Sequence, residues 1–201
     1  MENTTHNTIT HKSKVTREDR WKLNRHRSSL VWITGLPGSG KSTIAHELEH
    51  RLMQEGVRTF VLDGDNVRQG LCRDLGFSAS DRKENLRRIG EVGKLFADAG
   101  ILTIAAFASP YRADRLMVRR MFGEGDYIEV YLKCRLEVCE SRDPKGMYRK
   151  ARCGEIQNFT GVSDPYEPPE NPEILLETDT LSVGESVARI LHFLQEKELI
   201  R

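Results

Sequence analysis

Residues 35–43, GLPGSGKST, restrict the fold of this chain more than any other stretch. Gly35, Gly40, Lys41 and Ser42 satisfy G-x-x-x-x-G-K-[ST], a phosphate-binding loop that functions only between a strand and a helix. Both neighbours read correctly. Leu30-Val31-Trp32-Ile33-Thr34 has the apolar, β-rich character of a buried strand, and Thr43 to Glu55 reads as a helix. Glycines let the backbone curl so that its N–H groups face phosphate oxygens, and the helix N-terminus adds the positive end of its dipole. In such loops the lysine reaches the β- and γ-phosphates and the hydroxyl after it ligates Mg²⁺. The motif implies binding of a nucleoside triphosphate.

Length and composition place the rest of the chain around that loop. At 201 residues it is read as one domain with a well-buried core. A net charge of +1 gives no overall pull towards nucleic acid or an acidic membrane surface. The charge is uneven, however. Residues 1–28 hold seven Lys/Arg against three Asp/Glu, a local +4 that leaves the remainder near −3. They also lack apolar periodicity, so 1–28 is expected to be a mobile or loosely docked basic arm and 29–201 the folded domain. No apolar run has the length or flanks of a membrane span or signal peptide. Cys72, Cys134, Cys139 and Cys153 form no C-x-x-C pair and show no metal-type spacing. A reduced, cytoplasmic setting is expected.

Strand and helix patterns alternate after the arm. Ile44, Leu48 and Leu52 recur every four residues before Gly56, and Thr59 to Leu62 is a short β-rich run. A helix is expected to start near Asp81 with Glu84 in a capping-box pattern, carry Ile89, Val92 and Phe96 inward, and stop at Gly100. Ile101 to Ala108 is continuously apolar, as in a strand covered on both faces. Tyr127 to Leu132 and Ile174 to Leu176 supply two more strands. A last helix from Ser182 is expected to bury Val183, Val187, Ile190, Leu191 and Leu194. This pattern predicts an α/β fold: a doubly wound parallel sheet of about five strands flanked by helices, with ligands at the strands' carboxyl ends.

Candidate functional residues lie where such a fold places them. Asp63 and Asp65 follow the second strand, where a carboxylate can ligate Mg²⁺ or accept a proton from an attacking hydroxyl; Asp-Gly-Asp is also ordinary turn chemistry. Arg68, Arg82, Arg87 and Arg88 surround Phe77, suggesting a pocket that pairs guanidinium groups with an anion and stacks an aromatic on a base. Residues 142–166 show no convincing period and carry Arg142, Lys145, Arg149, Lys150 and Arg152 against few acids. A loop of that length reads as a basic lid over the phosphates, the alternative being an exposed basic loop.

These segments resemble the adenylylsulfate kinase family of P-loop kinases: GLPGSGKST, LDGDNVRQGL, LGFSASDRKENLRRIGEVGKLFADAG, FASPYRADR, EVCESRDPKGMYRKARCGEIQNFTG and DPYEPPENPE. The likeness covers everything but the arm. It implies transfer of the γ-phosphoryl of ATP to the 3′-hydroxyl of adenosine 5′-phosphosulfate, in sulfate activation, with Mg²⁺ and in a homodimer. Gly35, Leu36, Pro37, Gly38, Ser39, Gly40, Lys41, Ser42 and Thr43 would hold the ATP phosphates. Lys41, Asp63 and Ser109 would be catalytic, and Ser42 and Asp63 would serve the metal. Asp65, Asn66, Arg68, Arg82 and Asn85 would bind adenylylsulfate. Phe77 and Phe159, the latter beside Asn158, would clasp its adenine; Ala108 and Ser109 would line the pocket, and Lys145 would reach in from the lid. The family's serine at Ser109 is described as a phosphoserine intermediate, whereas in-line transfer to a positioned hydroxyl requires no covalent relay. Two positions depart from the family pattern. Pro37 stands where the family has Ser, and Cys153 where it has Ala. Neither carries an assigned role.

Two other readings remain at this level. One is a P-loop kinase acting on a nucleoside monophosphate or a sugar-type hydroxyl. The other is a nucleotide-dependent switch, since Asp143 to Gly146 formally matches D-x-x-G; no N-K-x-D guanine-reading segment occurs in the chain.

Overall fold

The strand before the phosphate loop, β1 (Leu30–Gly35), is buried along its whole length and lies at the centre of the sheet. A computed structural model describes Ile9, His11 and residues 13–201. The other strands are β2 (Thr59–Asp63), β3 (Leu102–Ala106), β4 (Tyr127–Lys133) and β5 (Ile174–Glu177). Every pairing is parallel, and the order is β2-β3-β1-β4-β5. The register pairs Ile33 with both Ala106 and Val130. The chain winds from β1 out to β2, back to β3 beside β1, and then across to β4. The carboxyl end of β1 is therefore the topological switch point, where a ligand crevice opens in such sheets.

Helices α1 (Arg17–Asn24), α2 (Lys41–Gln54), α3 (Gly64–Gln69), α4 (Ala79–Asp98), α5 (Arg112–Arg119), α6 (Leu136–Arg142), α7 (Met147–Arg152) and α8 (Val183–Glu196) complete the described fold. One face of the sheet packs Val31, Ile33 and Ile104 against Leu48 and Leu52 of α2 and Ile190 and Leu194 of α8. The other packs Leu30 and Trp32 against Leu86 and Ile89 of α4 and Val118 of α5. A strand buried on both faces needs apolar residues at every position, which is why β1 and β3 read as continuous runs rather than alternations.

Local chemistry sets several boundaries differently from the sequence reading. Helix α4 begins at Ala79, because the Ser78 hydroxyl accepts the Asp81 amide at 3.1 Å and takes the N-cap. Helix α8 follows Ser182 as expected, through a Ser182–Glu185 capping box, but Val183 is exposed in the first turn, before the apolar stripe begins. The 142–166 stretch contains α7 and the end of α6. With α3 and α5, these are helices of only six to eight residues, too short to establish a period of 3.6.

The basic stretch 1–28 also contains structure. Thr16 and Asp19 form a reciprocal capping box that starts α1. No residue of α1 is buried, so polar contacts dock it. Arg17 bonds both carboxylate oxygens of Asp126 and the Ser28 hydroxyl, Trp21 Nε1 donates to Ser28 Oγ at 2.7 Å, and Asn24 Nδ2 donates to the Gly100 carbonyl at 2.8 Å. Residues 1–8, 10 and 12 of the arm lie outside the described residues.

Arg17→Ala leaves half-buried Asp126 without its bidentate partner. The expected loss is about 1–3 kcal/mol of stability, read as a lower urea midpoint at unchanged m-value.

Candidate active site

The loop between β1 and α2 is held from outside through three of its carbonyls. Tyr148 Oη donates to the Pro37 carbonyl at 2.9 Å, and Thr178 Oγ1 donates to the Ser39 carbonyl at 2.9 Å. Arg142 Nη1 reaches the Gly38 carbonyl at 3.5 Å while its Nη2 donates to the Thr178 carbonyl at 2.6 Å. The backbone fit leaves no room for side chains. Gly38 has φ of 77°, and a Cβ there would stand 2.8 Å from the Cys139 carbonyl. Tyr148, Arg142 and Thr178 carry no motif of their own. Only Arg142 stood out in the sequence, as one of the lid cations.

Lys41 and Ser42, the first residues of α2, have their polar atoms at the mouth of this loop. Lys41 Nζ donates to the carbonyls of Gly35 at 3.0 Å and Leu36 at 2.7 Å. Burial pushes its ammonium down from 10.5 to about 8, against the opposing attraction of Asp63 and Asp65. Ser42 Oγ donates to Asp63 Oδ2 at 2.6 Å. Asp63 ends β2, is 6% exposed, and caps α3 by accepting the Asp65 amide on Oδ1 at 2.9 Å. The Asp-Gly-Asp segment is thus a helix start, with its first carboxylate fixed beside the phosphate loop.

The residues expected on the acceptor side lie on α3, α4 and the lid. Arg68 lies over the Phe77 ring at 4.3 Å, and Phe77 is 63% exposed. Arg82 links three elements: it donates to the Phe77 carbonyl at 3.0 Å, to Thr160 Oγ1 at 3.0 Å and to the Asn158 carbonyl. Asp164, whose carboxylate also accepts Tyr111 Oη at 2.8 and 2.9 Å, flanks Arg82 at 3.4 Å. One turn beyond Arg82, Asn85 is 3% exposed and its Oδ1 has no partner, an orphan of the kind that a ligand donor satisfies. Lys145 pairs with Asp65, joining the lid to α3. Asn66, the next residue, lies on that helix. Phe159 is buried edge-on to Tyr148, with ring centroids 5.0 Å apart, in the apolar cluster beneath the lid. Phe77 and Phe159 thus pack on different neighbours, Arg68 and Tyr148.

Ala108 and Ser109 form the end of the crevice after β3. With Thr34 donating to the Ala108 carbonyl at 2.8 Å, the Ser109 hydroxyl has two acceptors in reach, Thr34 Oγ1 and the Phe107 carbonyl at 3.2 Å. Thr34 Oγ1 lies 2.9 Å from Ser109 Oγ and accepts from Tyr166 Oη at 3.0 Å. Ser109 Oγ accepts Trp32 Nε1 at 3.0 Å and is 3% exposed. Trp32, Thr34, Tyr111, Asp164 and Tyr166 were not among the sequence candidates. A tryptophan and a threonine in an apolar strand read as core residues, and only the fold shows which polar atoms they present.

A five-stranded parallel sheet with a phosphate loop at its switch point, a carboxylate at the end of β2 and a basic lid defines a P-loop kinase. Comparison with known proteins narrows the class. A family model described as adenylylsulphate kinase matches residues 27–177. The adenylyl-sulfate kinase of Acaryochloris marina is 56% identical over 195 residues, covering 97% of this chain and 95% of that protein. The adenylyl-sulfate kinase of Thermodesulfovibrio yellowstonii is 55% identical over 197 residues, 98% of each chain. Among solved structures, the Mycobacterium tuberculosis APS kinase CysC in complex with AMPPNP and APS superposes with a TM-score of 0.81 at 44% identity, covering 85% of this chain and 99% of that one. This chain belongs to the adenylylsulphate kinase family.

The depressed Lys41 predicts a pH signature. A phosphate-loop lysine acts on the phosphates as the charged ammonium, so kcat/KM for ATP should fall as pH rises through about 8. The unfolded chain binds the extra proton between about 8 and 10.5, so this group should add stability as pH rises across that window. Urea unfolding of the wild type and Lys41→Met at both ends of the window checks the second effect. The pH-rate profile of the wild type checks the first.

Proposed function

We propose that this protein catalyses ATP-dependent phosphorylation of adenosine 5′-phosphosulfate on its 3′-hydroxyl, giving 3′-phosphoadenylylsulfate and ADP in sulfate activation. The observation that carries the reading is the convergence at one end of the sheet of a complete phosphate loop and the acceptor-side residues of the family. Residues 35–43 hold the triphosphate, and Lys41 stabilises charge on the transferring phosphoryl group. Asp65, Asn66, Arg68, Arg82, Asn85, Ala108, Ser109, Lys145 and Asn158 bind adenylylsulfate, with Phe77 and Phe159 against its adenine. The bond from the γ-phosphorus to the bridging oxygen of ADP breaks as the bond to the 3′-oxygen forms. The hydroxyl proton passes to the Asp63 carboxylate, which stands at the strand end facing the loop.

The Ser42 hydroxyl and the Asp63 carboxylate also suit Mg²⁺. Neighbouring oxygens of an octahedral Mg²⁺ lie about 3 Å apart, and these two are 2.6 Å apart. Among the described residues no group of three His, Cys, Asp or Glu forms a metal cage. That fits an ion held by one or two protein oxygens together with nucleotide phosphates. Bound there, Mg²⁺ would neutralise charge on the phosphates.

We further propose that phosphate passes directly between the two nucleotides. Ser109 Oγ is buried, with Thr34 and the Phe107 carbonyl as acceptors for its proton and Trp32 donating to its lone pair. It serves better as a pocket residue than as a nucleophile. The same reading includes a homodimer in the cytoplasm. All four cysteines are free, in keeping with a reducing setting, and among the described residues no helix is long and apolar enough to cross a membrane.

ADP release from Mg·ATP, measured in parallel with adenylylsulfate, with AMP and with no acceptor, tests the function. Stimulation by adenylylsulfate, with a 3′-phosphorylated product, is the expected result; stimulation by AMP alone would point to a nucleoside monophosphate kinase. Ser109→Ala should keep measurable single-turnover transfer with a weakened acceptor KM. Complete loss of transfer in a folded, substrate-binding variant would favour the phosphoserine route.

A further inference from the structure

Ser109 has φ of 38°, a left-handed conformation that a serine adopts only when its surroundings impose it. We propose that Arg115, on α5, is the positioning residue that imposes it and thereby sets the wall of the acceptor pocket. The proposal rests on the reading of Ala108 and Ser109 as acceptor-binding residues.

The Arg115 side chain is 3% exposed and all three of its nitrogens are used. Nη1 donates to the Ser109 carbonyl at 2.7 Å, Nη2 to the Glu167 carbonyl at 2.7 Å, and Nε to Glu129 Oε1 at 2.8 Å. One rigid fork thus joins the turn after β3, the segment that returns from the lid, and β4. The returning segment is tied to the same wall a second time. The Tyr166 ring lies 5.7 Å from the Arg115 guanidinium, and its hydroxyl bonds Thr34, which also bonds Ser109 and the Ala108 carbonyl. Burial raises the Tyr166 phenol well above its ordinary range, so it remains a donor.

A buried ion pair is a poor way to gain stability, since apolar residues of similar volume do as well or better. What an arginine supplies here is geometry: three donors in a fixed plane, aimed at two backbone carbonyls that no apolar side chain could hold. Glu129 balances the charge, while Arg119, 3.4 Å from its other oxygen, is itself paired with Glu173. None of the three hydrogen bonds goes to residues 35–43. A loosened fork therefore shifts the acceptor wall and leaves the phosphate loop in place.

Arg115→Lys keeps the charge but supplies one point of contact in place of three, and Tyr166→Phe keeps the ring and removes only the phenol bond. Steady-state kinetics on the full-length chain would give KM for adenylylsulfate and for ATP separately, alongside urea unfolding. Arg115→Lys should raise the adenylylsulfate KM by about tenfold to a hundredfold, as ångström-scale misplacement does. Its ATP KM should stay within about twofold of the wild type, the split that separates positioning from general loosening. Tyr166→Phe should raise the same acceptor KM by a smaller factor. Equal rises in both KM values, or a lower urea midpoint with an unchanged acceptor KM, would reduce Arg115 to a structural residue. Should Arg115→Lys fail to fold, an unchanged acceptor KM in Tyr166→Phe overturns the proposal. If the wild type itself shows no adenylylsulfate-dependent ADP release, the activity reading has failed instead.

Discussion

Three carbonyls of the phosphate loop are held by side chains from elsewhere in the fold: Pro37 by Tyr148, Ser39 by Thr178, and Gly38 by Arg142. A loop of peptide groups cannot turn all its donors one way unless the opposite ends find donors of their own. The structure beyond β4 supplies those donors. Helices α6 and α7 bring Arg142 and Tyr148 against the loop, and β5 delivers Thr178 from the far side. The lid is thus anchored to the phosphate site through the same contacts that shape it.

The crevice is held in two different ways. At its rim, charged side chains such as Lys145, Asp65 and Arg68 pair with one another or with carbonyls, and solvent keeps those contacts weak and exchangeable. Behind the rim, Trp32, Thr34, Ser109, Arg115 and Glu129 form a satisfied buried network. Low local dielectric makes each missing partner there expensive, so the network specifies one arrangement. Binding groups that must exchange partners thus stand on a wall that cannot easily move.

Much of the fold was legible because its determinants are local. Leu30 to Thr34 and Ile101 to Ala108 read as buried strands because both faces are covered, and the Ser182 box starts α8 by short-range bonds. What was missed needed longer reach. Helices α3, α5 and α7 last fewer than three turns, and α1 buries none of its residues, so none leaves an apolar period. The candidate site followed the same rule. Lys41, Ser42 and Asp63 were found from motif and strand position, while Arg115 and Tyr166 gave no signal, because their partners are 6 to 132 residues away along the chain.

By itself the sequence determined a parallel α/β sheet with a phosphate loop after its first strand, since glycine conformations, a lysine and a hydroxyl at fixed spacing are properties of a short segment. It also determined the family, through the order of several such segments. The tertiary structure decided which carbonyls the loop gives up, where the Ser109 hydroxyl points and what holds its strained turn. Those outcomes depend on side chains meeting across strands and the lid, and such meetings are fixed only when the sheet has brought its carboxyl ends together.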